Sequence, residues 1–182
     1  MSRLTGPGRV SAQLYGPVLP PGGARLEWLN DSSDFQMNFV HGLRNLAGLH
    51  VQYEYADGVV SGELAARADL VGFPGQLHGG LIGAVLDDAM GRLGALSGKW
   101  YLTGEFAVRF HSPVEVGQVV RVEAWATRWD RRLLATRARA LAGDVEVATA
   151  TGTYLPVPRE AGKRMVGAWP GFARYLEDDG RQ

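Results

Sequence analysis

One stretch of this chain has the pattern of a long helix, and segments of strand length border it on both sides. At about 100° per residue, residues 79–98 sort into two faces. Ile82, Val85, Leu86, Ala89, Leu93 and Leu96 fall on one face and suit a core. Gly80, Gly83, Ala84, Asp87, Gly91, Gly94 and Gly98 fall on the other, so a carboxylate stands among neighbours with almost no bulk. Ahead of this segment Leu49, Val51, Tyr53 and Tyr55 alternate with His50, Gln52 and Glu54, and Asp57-Gly58 leads into a second run over 59–66. Alternation broken by Asp-Gly predicts a hairpin. Behind it come four runs over 101–110, 119–129, 133–141 and 145–155, separated by Pro113 and Gly117, Asp130-Arg131, and Gly143-Asp144. Two strands, one helix and four strands predict an α+β domain, an antiparallel sheet with one buried helix packed on its face. The alanines of the later runs, among them Ala124, Ala126, Ala138, Ala140, Ala148 and Ala150, let the sheet curl closely around that helix.

The flanks read differently. Gly6-Pro-Gly8, Gly16-Pro17 and Pro20-Pro-Gly-Gly23 cannot sustain a long helix or strand, which predicts an N-terminal arm over 1–33, a domain over 34–156 and a tail over 157–182. Ser32, Ser33 and Asp34 ahead of Phe35, Met37, Phe39 and Val40 permit a short capped helix within 32–44. Past Pro156 and Pro158 the regular pattern stops, leaving a tail with Trp169, Phe172 and Tyr175.

Composition narrows the chemistry. The net charge of the 182 residues is zero, which removes the electrostatic footprint of a dedicated nucleic-acid binder. Without cysteine there are no disulfides, thiolate zinc sites or cysteine nucleophiles. His41, His50, His78 and His111 show no metal-ligand spacing. No apolar run approaches a membrane span, and the N-terminus lacks the apolar region of a signal peptide, so a cytoplasmic protein is expected.

The glycines decide where chemistry is sought. Each costs a helix interior about 1 kcal/mol relative to alanine, so a stripe of them serves either the close approach of another element or a ligand. The ligand reading ranks first, because glycines at a helix start leave backbone N–H groups free at the positive end of the dipole. That end suits a developing oxyanion. His78 either hydrogen-bonds beside this site or caps the helix entry. Asp88 lies four residues before Arg92, the spacing of a surface ion pair, and reads as structural.

With these residues in hand, the chain resembles the hotdog-fold acyl-CoA thioesterases of the PaaI type. The resemblance runs from about Asn38 to Leu155 and rests on Gly48-Leu49-His50, on His78-Gly79-Gly80 with Asp87 nine residues after the histidine, on Thr103 opening the next strand, and on Phe110-His-Ser-Pro113 with Gly117. It implies the hotdog fold, an acyl-CoA substrate, no cofactor, and self-association as a homodimer or dimer of dimers with the site at the subunit interface. It further implies that the backbone N–H groups around Gly79 and Gly80 polarise the thioester carbonyl, that Asp87 acts as general base or nucleophile, and that Thr103 assists from across the interface. Two departures stand out. The cysteine-bearing signature of many relatives is replaced by Asn38-Phe-Val-His41-Gly42, and Gly72 occupies about the place where some relatives carry an asparagine, with Gln76 a possible substitute.

Coenzyme A phosphates call for cations, and Arg109 and Arg128, near strand ends, are candidates. The alternative to hydrolysis is a non-catalytic acyl-CoA or lipid-binding hotdog module. A hotdog dehydratase is a third possibility, but it needs a paired Asp and His, and the sequence shows no convincing Asp-x4-His.

Overall fold

A computed structural model describes residues 17–26, 29, 30, 36–168 and 173. Strands β1 (Tyr53–Ala56) and β2 (Val59–Ala65) form a hairpin, and Asp57 and Gly58 occupy its two-residue turn. Both turn residues have positive φ, 50° and 83°, as a type I′ turn requires. The short strands β3 (Val71–Phe73) and β4 (Gln76–Leu77) pair with each other, and helix α1 (Gly79–Leu96) follows at once. Then come β5 (Tyr101–Phe110), β6 (Val119–Trp129), β7 (Leu134–Ala142), β8 (Val145–Pro156) and helix α2 (Arg159–Ala168). The main sheet is antiparallel throughout, in the order β1-β2-β6-β7-β8-β5.

Helix α1 packs along one face of this sheet, against β2, β5, β6, β7 and β8. Val85, Leu86, Ala89 and Leu96 are fully buried there, opposite Val120, Val122, Ala124, Ala126, Ala140 and Ala148. The strand alanines let a helix lie close to a curled sheet, and truncating a core leucine such as Leu86 is expected to cost about 2–5 kcal/mol. The six residues assigned to the core face from periodicity are all buried. Gly98, just past the helix, has φ of 76° and donates to Ala95 O at 2.9 Å, a left-handed stop that glycine makes at no steric cost.

Three expectations change. The first strand begins at Tyr53, not at Leu49, because His50 has φ of 58° and interrupts the extended run. The amides of Leu49 and Val51 donate instead to Phe39 O and Val40 O in the preceding loop. A short helix within 32–44 is not formed over 36–44, where the chain makes successive turns; residues 31–35 lie outside the described residues. The tail is not without regular structure: α2 starts directly after Pro158, whose carbonyl accepts the Gly162 N–H at 2.9 Å. Ala161, Gly162, Met165 and Val166 form its inward face, two short pairs one turn apart. Trp169, Phe172 and Tyr175 lie outside the described residues.

Candidate active site

The stripe of glycines has two uses, divided along the helix. Toward the helix start and end it is a packing seam for β5. A Cβ on Gly79 would stand 3.3 Å from the Phe110 ring, one on Gly83 3.9 Å from Phe106, and one on Gly94 only 2.6 Å from Tyr101. Three aromatic side chains of one strand thus sit over three glycines, so the close-approach reading, ranked second from sequence, is correct at these positions. Around Gly91 the surface is open. Asp87, Gly91 and Ala95, each one turn apart, line a cavity of about 590 Å³ together with Asn38, Trp100, Thr103, Tyr154 and Met165.

Asp87 enters this cavity held by two hydroxyls. Thr103 Oγ1 donates to its Oδ1 at 3.1 Å and the Tyr154 hydroxyl donates to the same oxygen at 2.7 Å. Thr103 and Tyr154 are direct partners across β5 and β8, so the sheet register itself places the two donors side by side. Tyr154 is buried, and burial first, then the charge of Asp87, pushes its hydroxyl pKa far above the ordinary phenol value; it remains a donor. The second carboxylate oxygen, Oδ2, has no donor among the described residues. Thr103 therefore reaches Asp87 within one chain.

Asp88 is not half of a surface pair. Its carboxylate and Arg92 are both mostly buried, with side-chain exposures of 13% and 9%. His41 Nδ1 stands 3.0 and 3.2 Å from its two oxygens, and Arg92 lies 3.5 Å away while donating to Leu29 O at 3.3 Å. Burial raises the Asp88 pKa, but the Arg92 charge, His41 and the Tyr53 hydroxyl together outweigh it and hold the carboxyl below its ordinary value. The i,i+4 spacing was legible; the burial was not, because His41 arrives from a distant loop. This group ties the loop around residue 41 to the middle of α1.

At the helix start, His78 is the cap: its Nδ1 accepts the Gly80 N–H at 2.9 Å. That bond takes one of the two glycine amides expected to polarise a carbonyl and leaves the Gly79 N–H with no acceptor among the described residues. Gly79 and Asp87 are eight residues apart on one helix, about 12 Å along its axis at 1.5 Å per residue.

The remaining predicted residues do not converge here. Arg109 alternates with the helix-facing Val108 and Phe110 and lies on the opposite face of the sheet, in a groove with Trp125, Arg137 and Thr149. Arg128 is ion-paired with Asp130 at 2.7 Å. Gln76 sits on β4, bridged to Glu115. Conversely Asn38, Tyr154 and Trp100 were not singled out as site residues. Tyr154 carried a weak signal, an inward tyrosine in a strand of alanines and glycines. Asn38 is fixed by accepting the Val40 and His41 amides at 2.7 and 3.1 Å, so its amide nitrogen is free to donate.

The hotdog fold agrees with comparisons to known proteins. Residues 74–149 match the thioesterase superfamily. The protein RHA08564, a thioesterase superfamily protein, has a similar structure, with 25% identity, 65% of this chain and 62% of that chain covered, and a TM-score of 0.61. This chain thus spans less than two thirds of that relative. A phenylacetic acid degradation-related protein from Ralstonia eutropha JMP134 is 26% identical over 59% of this chain and 85% of its own, with a TM-score of 0.55. A hypothetical thioesterase from Streptococcus pneumoniae, solved with coenzyme A, shares the fold at 16% identity, 59% and 88% coverage and a TM-score of 0.55. No curated protein matches the chain. The chain has the hotdog fold of these structures, and the superfamily match covers its residues 74–149. Among the described residues no helix is long and apolar enough to cross a membrane.

Proposed function

We propose that the chain is an acyl-CoA thioesterase of the PaaI type, with Asp87 as the catalytic carboxylate of a site shared between two subunits. The observation that carries this reading is the Asp87 carboxylate, fixed through Oδ1 by Thr103 and Tyr154 and turned into a cavity with Oδ2 unoccupied by any described donor. An oxygen so positioned takes a proton from water, or attacks a carbonyl carbon itself. In the first route the water oxygen bonds to the thioester carbon, Asp87 takes the water proton, the C–S bond breaks, and the proton passes to the departing thiolate. In the second, an Asp87 oxygen bonds to the thioester carbon, the C–S bond breaks to release the thiolate, and water attack at the Asp87 carbonyl carbon then breaks the anhydride C–O bond, frees the acid and restores the carboxylate, with the water proton passing to the thiolate. The shared fold is one that holds coenzyme A in the Streptococcus pneumoniae relative.

Geometry supports the two-subunit arrangement. A thioester carbonyl cannot touch Asp87 and the Gly79 N–H of one helix when they are about 12 Å apart along its axis. Strand β5 is a ten-residue edge with exposed Leu102 and Phe110, and an unpaired edge of this length invites pairing. Antiparallel pairing of two β5 strands about a point near Phe106 puts Thr103 of one copy opposite Phe110 of the other. Because Thr103 marks Asp87 and Phe110 marks Gly79, each carboxylate then faces Gly79 of the partner subunit, where the oxyanion would be stabilised.

The test is release of free thiol from a panel of acyl-CoAs, beside the Asp87→Asn variant, with light scattering for mass. Asp87→Asn is expected to lower kcat by about 10²–10⁴-fold, and the protein to run as a dimer or larger. Hydrolysis undiminished in Asp87→Asn removes Asp87 from the mechanism. Binding without turnover favours the non-catalytic module, and a stable active monomer excludes the shared site. Single turnover in ¹⁸O-water leaves label in Asp87 when Asp87 is the nucleophile and water opens the anhydride at the Asp87 carbonyl, whereas the general-base route labels only the product acid.

A further inference from the structure

The Asp87 cavity has a direction. Thr103 stands beside Asp87, whereas Tyr101 packs on Gly94 near the end of α1. Strand β5 therefore runs antiparallel to the helix, and Asp87, Gly91 and Ala95 mark successive levels from the polar end of the cavity to an apolar one. At the polar end are the carboxylate, the two hydroxyls and the fixed Asn38 amide. At the apolar end are Ala95, Trp100 and Leu102, with Met37 and Met165 also on the wall. The two methionines come from elements outside the segment that matches the superfamily: Met37 from the turns ahead of β1, and Met165 from α2. The backbone holds α2 next to this end, since the Val157 N–H donates to Trp100 O at 2.8 Å immediately before the helix. Met37 and Leu102 are 67% and 52% exposed, an apolar rim that no described residue covers.

We infer that this apolar end is the acyl subsite, that it takes an uncharged, apolar acyl group laid along Gly91 and Ala95 toward Trp100, and that Met37 and Met165 cap it and set the size of group accepted. This rests on the hydrolase reading for turnover, but not for binding. Arg92 is the one cation among the described residues lining the cavity, and it is mostly buried with Asp88 and Leu29 O as its partners, so an acyl group ending in a carboxylate finds no uncommitted cation there. Methionine is the side chain that adapts most readily to groups of different shape, which suits a cap closing over different apolar groups. The absence of a side chain at Gly91 is what opens the path: its nearest neighbour outside the helix is the Tyr154 ring, 3.8 Å from where a Cβ would stand.

The experiment compares full-length wild type with Met37→Ala, Met165→Ala and Gly91→Leu on acetyl-CoA, a series of longer linear acyl-CoAs, phenylacetyl-CoA and succinyl-CoA. Loss of a capping side chain is expected to raise kcat/KM for the longest groups relative to acetyl-CoA by about tenfold or more, and Gly91→Leu to reject all but the shortest by a similar factor. Succinyl-CoA is expected to be the poorest of its length. An unchanged length profile in both methionine variants, or preferred hydrolysis of succinyl-CoA, overturns the inference. If the wild type hydrolyses nothing, the same series is read by calorimetric binding. Affinity that rises with the acyl group and is lost in Gly91→Leu upholds the subsite while the hydrolase reading fails; equal affinity for free coenzyme A and every acyl-CoA overturns the subsite as well. The methionine variants alter side chains outside the core, so they keep the test open if Gly91→Leu does not fold.

Discussion

The Tyr154 hydroxyl lies 2.7 Å from the Asp87 carboxylate and 3.0 Å from the same residue's backbone carbonyl, while its ring rests over Gly91 one turn on. One side chain of β8 thus fixes the carboxylate and shapes the wall of the cavity beside it. Removing the hydroxyl in Tyr154→Phe keeps the wall and loses a hydrogen bond to a charged acceptor, a contribution of about 1.5–3 kcal/mol. If that bond aligns Asp87 in the transition state, kcat/KM falls by about 10- to 100-fold. Burial and the Asp87 charge raise the Tyr154 pKa, so its ionisation should add no alkaline limb to the rate profile. Wild-type thiol release by Tyr154→Phe would show that Thr103 suffices.

Asp88 is expected to govern stability. Its carboxyl is held below its ordinary value, so the pairing stabilises the fold fully above the unfolded value of about 3.9. That contribution disappears as the pH drops through the lowered folded value. Asp88→Asn leaves His41 and Arg92 without their anion in a buried setting, expected to cost about 3 kcal/mol or more at pH 7. The urea midpoints of wild type and variant should converge as pH is lowered below 4. Equal midpoints at pH 7 would mean that the buried pair is energetically idle. Asp88 also lines the cavity, so it is not a neutral control for Asp87.

His78 acts on the helix through its ring nitrogen. His78→Ala loses the cap on the Gly80 N–H, a change of about 1 kcal/mol, and frees a second amide at the helix start. His78→Asn places a good capping side chain there and is expected to restore the melting temperature. If activity returns with it, capping is the role of His78; stability recovered without activity would assign the imidazole a part in the reaction itself.

The elements near α1 were legible because periodicity and turn chemistry acted over short distances. The helix, the Asp57-Gly58 turn and strand β6 need nothing beyond their own residues to be recognised. Asp87 was legible for the same reason, as an acid in a stripe without bulk. What was hidden depends on register between distant segments. Tyr154 becomes a partner of Asp87 only once β8 pairs with β5 at Thr103. His41 meets Asp88 across 47 residues, and Arg109 turns out to face away because strand alternation puts Val108 and Phe110 on the helix side. Local pattern could identify an acid on α1, but not its donors or the cations that lie elsewhere.

The glycines offer the sharpest separation of packing from function. A methyl group on Gly94 would stand 2.6 Å from the Tyr101 ring; the Tyr101 hydroxyl accepts the Trp129 indole N–H at 3.0 Å, and the two rings meet edge to face. The ring is thereby braced, so Gly94→Ala overpacks the seam and is expected to destabilise by about 1–3 kcal/mol. At Gly91 the same methyl finds its nearest neighbour at 3.8 Å, and the gain in helix propensity, up to about 1 kcal/mol, is not opposed. Gly91→Ala should therefore melt at or above the wild-type temperature while narrowing the cavity floor. Thermal melts of the two variants decide this directly. If both lose stability equally, Gly91 is part of the packing seam and the cavity is not open at that level of the helix.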